Sequence, residues 1–274
     1  MVYLYLLNTY HMIYHWCRWA LAIYGWKYIW SWMNFDIIKT VYGIKDNDAS
    51  NQSALIEYLG INQNDIIKVN WSSSLYQPAY IIAFDHNTNN IVISIRGTMS
   101  VQDIITDINN INITFGDGKI HGGIHKAAKN IYNDMLETLQ KITNDDKYKD
   151  YGFRFVGHSL GGAVASIITH MFFNDFSSLI SKTKTYCYGS PPVFSHNIAE
   201  KWSSNIITIV NNKDIIPRLS VGEQLYLPGI ILHYSKNTRS FIGRNKEYFA
   251  ADNIIGSSLS EHLPNRYADI TKKF

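Results

Sequence analysis

A serine flanked by glycines two positions before and two positions after it constrains this chain more than any other feature. Gly157, Ser159 and Gly161 lie between a short apolar run typical of a β-strand and a longer run typical of a helix. A serine on so sharp a turn leaves no room for side chains two residues away, which is why glycines stand there. The pattern predicts Ser159 as a nucleophile. It also predicts Leu160, whose N–H opens the helix, as a hydrogen-bond donor to a reacting oxyanion.

The composition restricts the class of protein. Of the 274 residues, 46% are hydrophobic, which is ample for a packed core, and the net charge of +3 is too small to indicate a nucleic-acid partner. The two cysteines, Cys17 and Cys187, form neither a disulfide framework nor a metal-ligand pair. We therefore expect an intracellular protein that needs no metal and no organic cofactor.

The first 33 residues are unusually rich in Trp and Tyr. Arg18 and Lys27 interrupt the apolar run before it reaches the roughly 20 residues that cross a bilayer, so a transmembrane helix is not expected. The start of the chain lacks basic residues, which disfavours a signal peptide. Two compatible interpretations stay open: residues 1–33 pack as a helical segment on the domain, or they lie on a membrane surface.

Strand-like and helix-like segments alternate through the rest of the chain. Apolar runs predict strands at 78–84, 91–96, 185–189, 206–210 and 225–234, with a hairpin connection at 85–90. Apolar periodicity predicts helices at 54–59, 100–108 and 124–142, and a loop is expected between the second of these and residue 118. This alternation predicts one α/β domain over residues 1–274, with a mostly parallel central sheet flanked by helices.

A serine nucleophile needs a carboxylate that orients its general base. Asp214 is predicted as that carboxylate because it follows the apolar strand 206–210. On a strand–turn–helix nucleophile, the carboxylate follows the serine in the chain and precedes the histidine. Asp175 at the end of the helix after Ser159, and Asp252 outside any clear strand, are weaker candidates.

Two histidines follow Asp214 and are candidates for the base. His262 lies in a short polar loop near the C-terminus, where an imidazole can reach both partners. His233 lies in an apolar strand, where a hydrogen-bonded core histidine is the more usual role. The predicted triad is therefore Ser159, His262 and Asp214. His158, beside the nucleophile, is expected to point away from the position of the base.

A second oxyanion donor has two candidates. Thr98 directly follows the strand 91–96, so its N–H is expected to face the site. The run His121-Gly122-Gly123 is similar to part of an oxyanion motif of some esterases. It opens a long predicted helix, however, so Thr98 is preferred and His121 is interpreted as structural.

Several stretches resemble the class 3 lipases, and most closely their sn-1-specific diacylglycerol lipase branch. These stretches are 18–26, 95–98 with Asp103 and Asp107, 121–123, 156–162, 188–192, 213–220, 226–233 and 261–264. The resemblance implies an α/β-hydrolase fold, the same triad and the same two oxyanion donors, and it places residues 11–30 in the catalytic domain. Glu261 stands where the family usually has Asp. The multi-span membrane region of the animal enzymes has no counterpart in these 274 residues.

The resemblance also implies a lid directly after the predicted oxyanion residue. The apolar side chains of this segment would cover the site in water and lie on lipid when open; they are Met99, Val101, Ile104, Ile105 and Ile108. An ordinary helix packed on the core is the alternative.

These observations predict a serine lipase. We expect it to hydrolyse acylglycerol esters through an acyl-enzyme, as a peripheral protein at a membrane or lipid-droplet surface. A phospholipase or a general carboxylesterase is one alternative. An inactive membrane-surface binding module is another, from a different class of protein.

Overall fold

The computed structural model describes residues 2–32, 47–74, 76–97, 112–212, 214, 216–218, 262 and 267, with side chains from residue 11 to 29 in the first of these segments. The helices are α1 (Val2–Ala22), α2 (Trp26–Trp32), α3 (Asp48–Leu59), α4 (Gly122–Thr143), α5 (Leu160–Asp175) and α6 (His196–Lys201). The strands are β1 (Ile66–Asn70), β2 (Tyr80–Asp85), β3 (Asn90–Ile95), β4 (Asn112–Phe115), β5 (Gly118–His121), β6 (Gly152–His158), β7 (Thr183–Tyr188) and β8 (Ile206–Ile209). Short 3-10 helices cover Gln63–Asp65, Asp146–Tyr148, Ser177–Lys182 and Ile216–Arg218.

Within the described residues, six strands form the main sheet in the order β1-β2-β3-β6-β7-β8. The strands β3, β6, β7 and β8 run parallel, and β1 and β2 extend the sheet as antiparallel neighbours. Every residue of β2 and β3 is buried. Helices on both faces of a sheet bury both sides of its central strands, which explains why these two strands are mostly apolar. The predicted mostly parallel sheet flanked by helices is confirmed.

The predicted strands at 78–84, 91–96, 185–189 and 206–210 are present with small shifts at their ends, and β2 and β3 form the expected hairpin. The loop expected up to residue 118 is wrong in part, because β4 and β5 form a second, separate hairpin there. Its strands have four residues each, and only Ile120 and His121 are buried, so they carry little apolar periodicity. Long-range contacts support them instead: His121 N–H donates to Val193 O at 3.1 Å, and Ser195 N–H donates to Lys119 O at 2.9 Å. The strand β1 was also missed. The helix 100–108 and the strand 225–234 lie outside the described residues.

The helices α4 and α5 cover one face of the sheet. The apolar stripe predicted in 124–142 is confirmed: Ile124, Met135 and Ile142 mark its course, and its members are buried against α5 and the strands. Burial of α5 is almost complete, since it packs between α4 and the sheet. At about 25 cal/mol for each Å² of apolar surface removed from water, this layer is the main source of stability on that face.

The N-terminal segment covers the opposite face. Trp16, Trp19 and Ile23 are buried in a cluster that includes residues of β2, β3, β6 and β7. Ser94 Oγ on β3 donates to Trp19 O at 2.8 Å, and His15 Nε2 lies 2.5 Å from Asp85 Oδ2. Residues 16–24 therefore pack on the sheet, and Trp26 and Ile29 pack with Ala54 of α3. No helix in the described part of the chain combines the length and the apolarity that a bilayer span requires.

Candidate active site

Ser159 lies on a strained turn between β6 and α5. Its φ of 57° and ψ of −128° are unusual for a residue with a side chain, and such backbone strain costs on the order of 1–3 kcal/mol. A Cβ added to Gly157 would lie 2.3 Å from the carbonyl carbon of Gly161, and one added to Gly161 would lie 2.2 Å from Ile95 O. Side chains are therefore excluded at both positions: at Gly157 by the turn itself, as inferred from the sequence, and at Gly161 by the main chain at the end of β3.

Ser159, His262 and Asp214 form one continuous hydrogen-bonded chain. His262 Nε2 lies 2.8 Å from Ser159 Oγ, and His262 Nδ1 lies 2.9 Å from Asp214 Oδ2 and 3.1 Å from Asp214 Oδ1. All three residues are buried. Because a carboxylate only accepts, Nδ1 carries the proton and Nε2 is left to accept from the serine hydroxyl. This is the geometry that general-base activation of a serine needs.

Further donors hold the Asp214 carboxylate and its loop. Ile216 N–H donates to Asp214 Oδ1 at 3.0 Å, and the Tyr267 hydroxyl donates to Asp214 Oδ2. Burial and the neighbouring Asp214 raise the pKa of Tyr267, so the phenol keeps the proton that it donates. The Arg218 guanidinium donates to Asp214 O and, at 2.8 Å, to Asn212 O. These contacts fix the carboxylate that orients the imidazole.

His158 and Tyr24 lie directly behind this chain. His158 Nε2 is 2.9 Å from His262 O, and His158 Nδ1 is 2.9 Å from the Tyr24 hydroxyl. The imidazole rings of His158 and His262 are 4.9 Å apart. The expectation that His158 points away from the base position is wrong: its ring lies beside that of His262, and its Nε2 donates to the main-chain carbonyl of that residue.

Sequence reasoning missed the contribution of Tyr24, His158 and Tyr267 to this site. Tyr267 follows His262 by only five residues, and that proximity was the one available signal. Tyr24 is 134 residues away from His158 along the chain. No local pattern reveals a contact over such a distance.

Of the predicted oxyanion and lid residues, the structure describes only Leu160. Leu160 is the first residue of α5, where a helix leaves its N–H without an intrahelical acceptor. Gly97, the residue before Thr98, is described, and a Cβ added to it would lie 3.3 Å from Ser159 Cβ. The end of β3 thus lies beside the nucleophile. Thr98 and the predicted lid residues Met99, Val101, Ile104, Ile105 and Ile108 lie outside the described residues.

The rejected candidates have other contacts. Asp175 ends α5, and its Oδ2 accepts from the Tyr132 hydroxyl at 2.7 Å. His121 caps the start of α4, where its Nδ1 accepts from Ile124 N–H at 3.3 Å. Asp252 and His233 lie outside the described residues. Among the described side chains, no group of three or more His, Cys, Asp or Glu is arranged to hold a metal ion.

The comparisons with known proteins converge on lipases. Residues 92–223 match the model of the family described as Lipase (class 3). Diacylglycerol lipase-beta of Mus musculus is 26% identical over 193 residues, which are 68% of this chain and 28% of that protein. A lipase of Rhizomucor miehei is 26% identical over 56% of this chain and 44% of its own length. The resemblance to the class 3 lipases is confirmed.

A solved triacylglycerol lipase has the same fold. It is 26% identical over 58% of this chain and 61% of its own, with a TM-score of 0.52, and its catalytic centre is described as a serine protease triad. The predicted α/β-hydrolase fold is therefore confirmed. The matched family and this structure support the prediction that the chain is a serine ester hydrolase. The chain spans less than a third of the mouse protein and less than half of the fungal lipase.

Proposed function

We propose that this protein is a serine lipase that hydrolyses acylglycerol esters, with diacylglycerol as the preferred class of substrate. The observation that carries the proposal is the buried hydrogen-bonded chain of Ser159, His262 and Asp214 on the strained turn. Backbone strain and buried polar groups both lower the stability of a fold. Here they hold a nucleophile, a base and an orienting carboxylate in the geometry that acyl transfer requires. The likeness to class 3 lipases supports the substrate class.

The geometry supports a two-step reaction. Ser159 Oγ attacks the ester carbonyl carbon while His262 Nε2 takes the hydroxyl proton, and the Asp214 carboxylate stabilises the imidazolium that forms. The Leu160 N–H and the Thr98 N–H stabilise the oxyanion of the tetrahedral intermediate. The imidazolium then gives its proton to the departing alkoxide, which leaves an acyl-enzyme. Water, activated by His262, releases the fatty acid and restores Ser159.

The triad is buried, so a lipid cannot reach it without a movement of the protein. Ser159 is 1% exposed and His262 is 3% exposed, so an acyl chain requires the surroundings of the serine to open. We propose that residues 99–108 open as the lid at a lipid surface.

A double substitution in this segment tests the lid. Replacement of Ile104 and Ile105 by Ser should preserve turnover of a soluble short-chain ester and strongly reduce turnover of emulsified acylglycerol. Equal losses on both substrates, with a lower Tm, would mean that this segment belongs to the core.

A fluorophosphonate probe tests the central claim. Wild-type protein should be labelled, and Ser159→Ala should not. Ser166→Ala is the matched control, because Ser166 is also buried on α5 but donates to Gly162 O at 3.0 Å. This control should be labelled like the wild type. Absence of wild-type labelling together with vesicle binding would favour the inactive membrane-surface module.

A lipid panel tests the substrate class. Released fatty acid is measured with diacylglycerol, triacylglycerol, monoacylglycerol, phosphatidylcholine and a short-chain ester, each with Ser159→Ala as the blank. The proposal expects the highest kcat/KM with diacylglycerol. Preference for phosphatidylcholine or for the soluble ester would assign the alternative phospholipase or carboxylesterase function.

A further inference from the structure

A set of buried hydrogen bonds outside the triad connects the N-terminal segment with the site. Tyr24 follows α1, and its hydroxyl lies 2.9 Å from His158 Nδ1. The same hydroxyl accepts a hydrogen bond from the main chain of Gly97. The approach requires a glycine at this position, because a Cβ on Gly97 would lie only 2.6 Å from the Tyr24 oxygen. One phenol from the start of the chain thus joins the end of β3 to the end of β6.

The direction of each hydrogen bond follows from the chemistry of the groups. The carbonyl oxygen of His262 only accepts, so His158 Nε2, 2.9 Å away, carries a proton and donates it. In a neutral imidazole the other nitrogen is then an acceptor, and the Tyr24 hydroxyl donates to it. The Gly97 N–H donates to the Tyr24 oxygen in turn. The chain of donors therefore runs from Gly97 through Tyr24 and His158 to His262 O.

These hydrogen bonds require a neutral His158 and a protonated Tyr24, and burial of both residues favours these states. Burial lowers the pKa of His158 well below its usual value, and the neighbouring His262 lowers it further. Burial also raises the pKa of Tyr24, so its hydroxyl keeps its proton. His158 is therefore neutral at physiological pH, with its proton on Nε2.

Each contact point is next to a residue of the proposed chemistry. Gly97 precedes Thr98, His158 precedes Ser159, and His262 is the proposed base. The base must keep its place while its ring alternates between imidazole and imidazolium. A hydrogen bond to its own carbonyl, and the His158 ring 4.9 Å away, restrict its movement without changing the charge of the site. A displacement of about 1 Å in such a site costs on the order of 10²-fold in rate.

We propose that Tyr24 and His158 are positioning residues that align the oxyanion strand end, the nucleophile and the base. The inference rests on the proposed function and assigns part of the catalytic arrangement to the N-terminal segment. It separates Tyr24, which acts on the reaction through His158, from Trp16 and Trp19, which are buried in the same cluster away from the triad.

The test compares two tyrosine hydroxyls on opposite faces of the sheet. Tyr24→Phe should lower kcat by about 10- to 100-fold with KM nearly unchanged, because Tyr24 is buried and its hydroxyl contacts His158 rather than the surface of the site. Tyr132→Phe is the matched control, since it removes a buried tyrosine's hydrogen bond, to Asp175 at 2.7 Å, away from the site. It should lower the Tm by a similar amount and leave kcat unchanged.

A conservative pair at His158 provides the second measurement. His158→Leu removes the donor to His262 O and should lower kcat by about 100-fold. His158→Gln keeps an N–H donor on a side chain of similar reach, and it should recover most of that loss. Stability alone would not separate the two variants in this way.

The outcomes distinguish this inference from the proposed function. An active wild type whose Tyr24→Phe and His158→Leu variants keep wild-type kcat would overturn the positioning role alone. Loss of kcat in Tyr132→Phe equal to that in Tyr24→Phe would also overturn it. A wild-type protein with no turnover and no fluorophosphonate labelling would overturn the proposed function, and the positioning role with it.

Discussion

The two faces of the central sheet are packed with different chemistry. On the face of α4 and α5, the buried layer is mainly aliphatic residues and phenylalanines. On the face of α1, it is rich in tryptophans and tyrosines, and the hydroxyls of Tyr24, Tyr188 and Tyr267 reach hydrogen-bond partners. The hydroxyls of Tyr24 and Tyr267 lie beside the triad.

A single strand contributes to both faces. Phe153 and Phe155 of β6 join the aliphatic layer, and Val156 joins the aromatic one. Side chains alternate along a strand, so His158 lies on the same side as Val156. Side chains on one side of the sheet therefore pack under α4 and α5, and side chains on the other side support the site. Substitutions on the first side should lower the free energy of unfolding, and those on the second side should lower kcat.

Removal of the nucleophile should produce the largest effect. Ser159→Ala should lower kcat by roughly 10⁶-fold, and His262→Ala should do nearly as much, because the triad acts as a unit. Both variants should keep the Tm within a few degrees. His233→Ala should keep most of the turnover, and an inactive His233→Ala beside an active His262→Ala would reassign the base.

The carboxylate that orients the base should have the next largest effect. Asp214→Asn should lower kcat by about 10⁴-fold, since an amide in place of the carboxylate favours the wrong tautomer of His262. Asp175→Asn on α5 is the control and should retain wild-type kcat. A similar loss in both variants would contradict the assignment of Asp214.

Replacement of a large buried side chain by a small one on the aliphatic face should lower stability rather than kcat. Phe172 is fully buried, and its ring lies 4.9 Å from that of Phe153 and 5.3 Å from that of Phe155. Phe172→Ala should lower the free energy of unfolding by about 3–5 kcal/mol through lost burial and a cavity. Below its Tm, kcat per folded molecule should match the wild type, and a specific loss of kcat would break the contrast between the faces.

Removal of one hydroxyl on the aromatic face should have a smaller, catalytic effect. Tyr267→Phe takes away one donor to Asp214 but leaves those from His262 and Ile216. The carboxylate then orients His262 less firmly, and since a misplacement of about 1 Å costs on the order of 10²-fold in rate, kcat should fall by about 10- to 100-fold. An unchanged kcat with a lower Tm would make Tyr267 purely structural.

The smallest expected effect is on the pH dependence of stability. The pKa of His158 lies below its usual value of about 6.5 in the folded protein, so the unfolded chain binds a proton that the folded one does not. Stability should therefore fall as the pH drops below about 6.5, by at most about 1.4 kcal/mol per pH unit for this group.

Urea titrations between about pH 5 and pH 6.5 measure this slope, above the range in which carboxylates titrate. His125 and His170, whose pKa values burial also lowers, add to the same slope. His158→Gln should reduce it without abolishing it. An unchanged slope would mean that His158 is protonated in the folded state.

The Thr98→Val variant tests whether the Thr98 hydroxyl contributes to the oxyanion site. We expect Thr98→Val to raise the activation barrier by about 3 kcal/mol if the hydroxyl donates as well as the N–H, with little change in KM. Near-wild-type kcat would limit the contribution of Thr98 to its main-chain N–H.

Local patterns in the sequence were enough for the features whose causes are local. The glycine pattern around Ser159 is visible in the sequence, and the collision that excludes a side chain at Gly157 is local, since it involves Gly161 four positions on. The apolar stripe of α4 and the alternating strands follow from helix and strand periodicity. Chain order pointed to Asp214 and His262, and the fold brings both within hydrogen-bonding distance of one another.

Tertiary structure alone decided which other side chains support that triad. Tyr24, His158 and Tyr267 meet around His262 and Asp214 across separations of 53 to 134 residues. The hairpin of β4 and β5, and the packing of residues 16–24 on the sheet, depend on equally distant partners. A hydrogen bond or an apolar contact leaves no periodicity in the chain when its two ends are set by the fold. Only the folded arrangement reveals that the N-terminal segment reaches the back of the site.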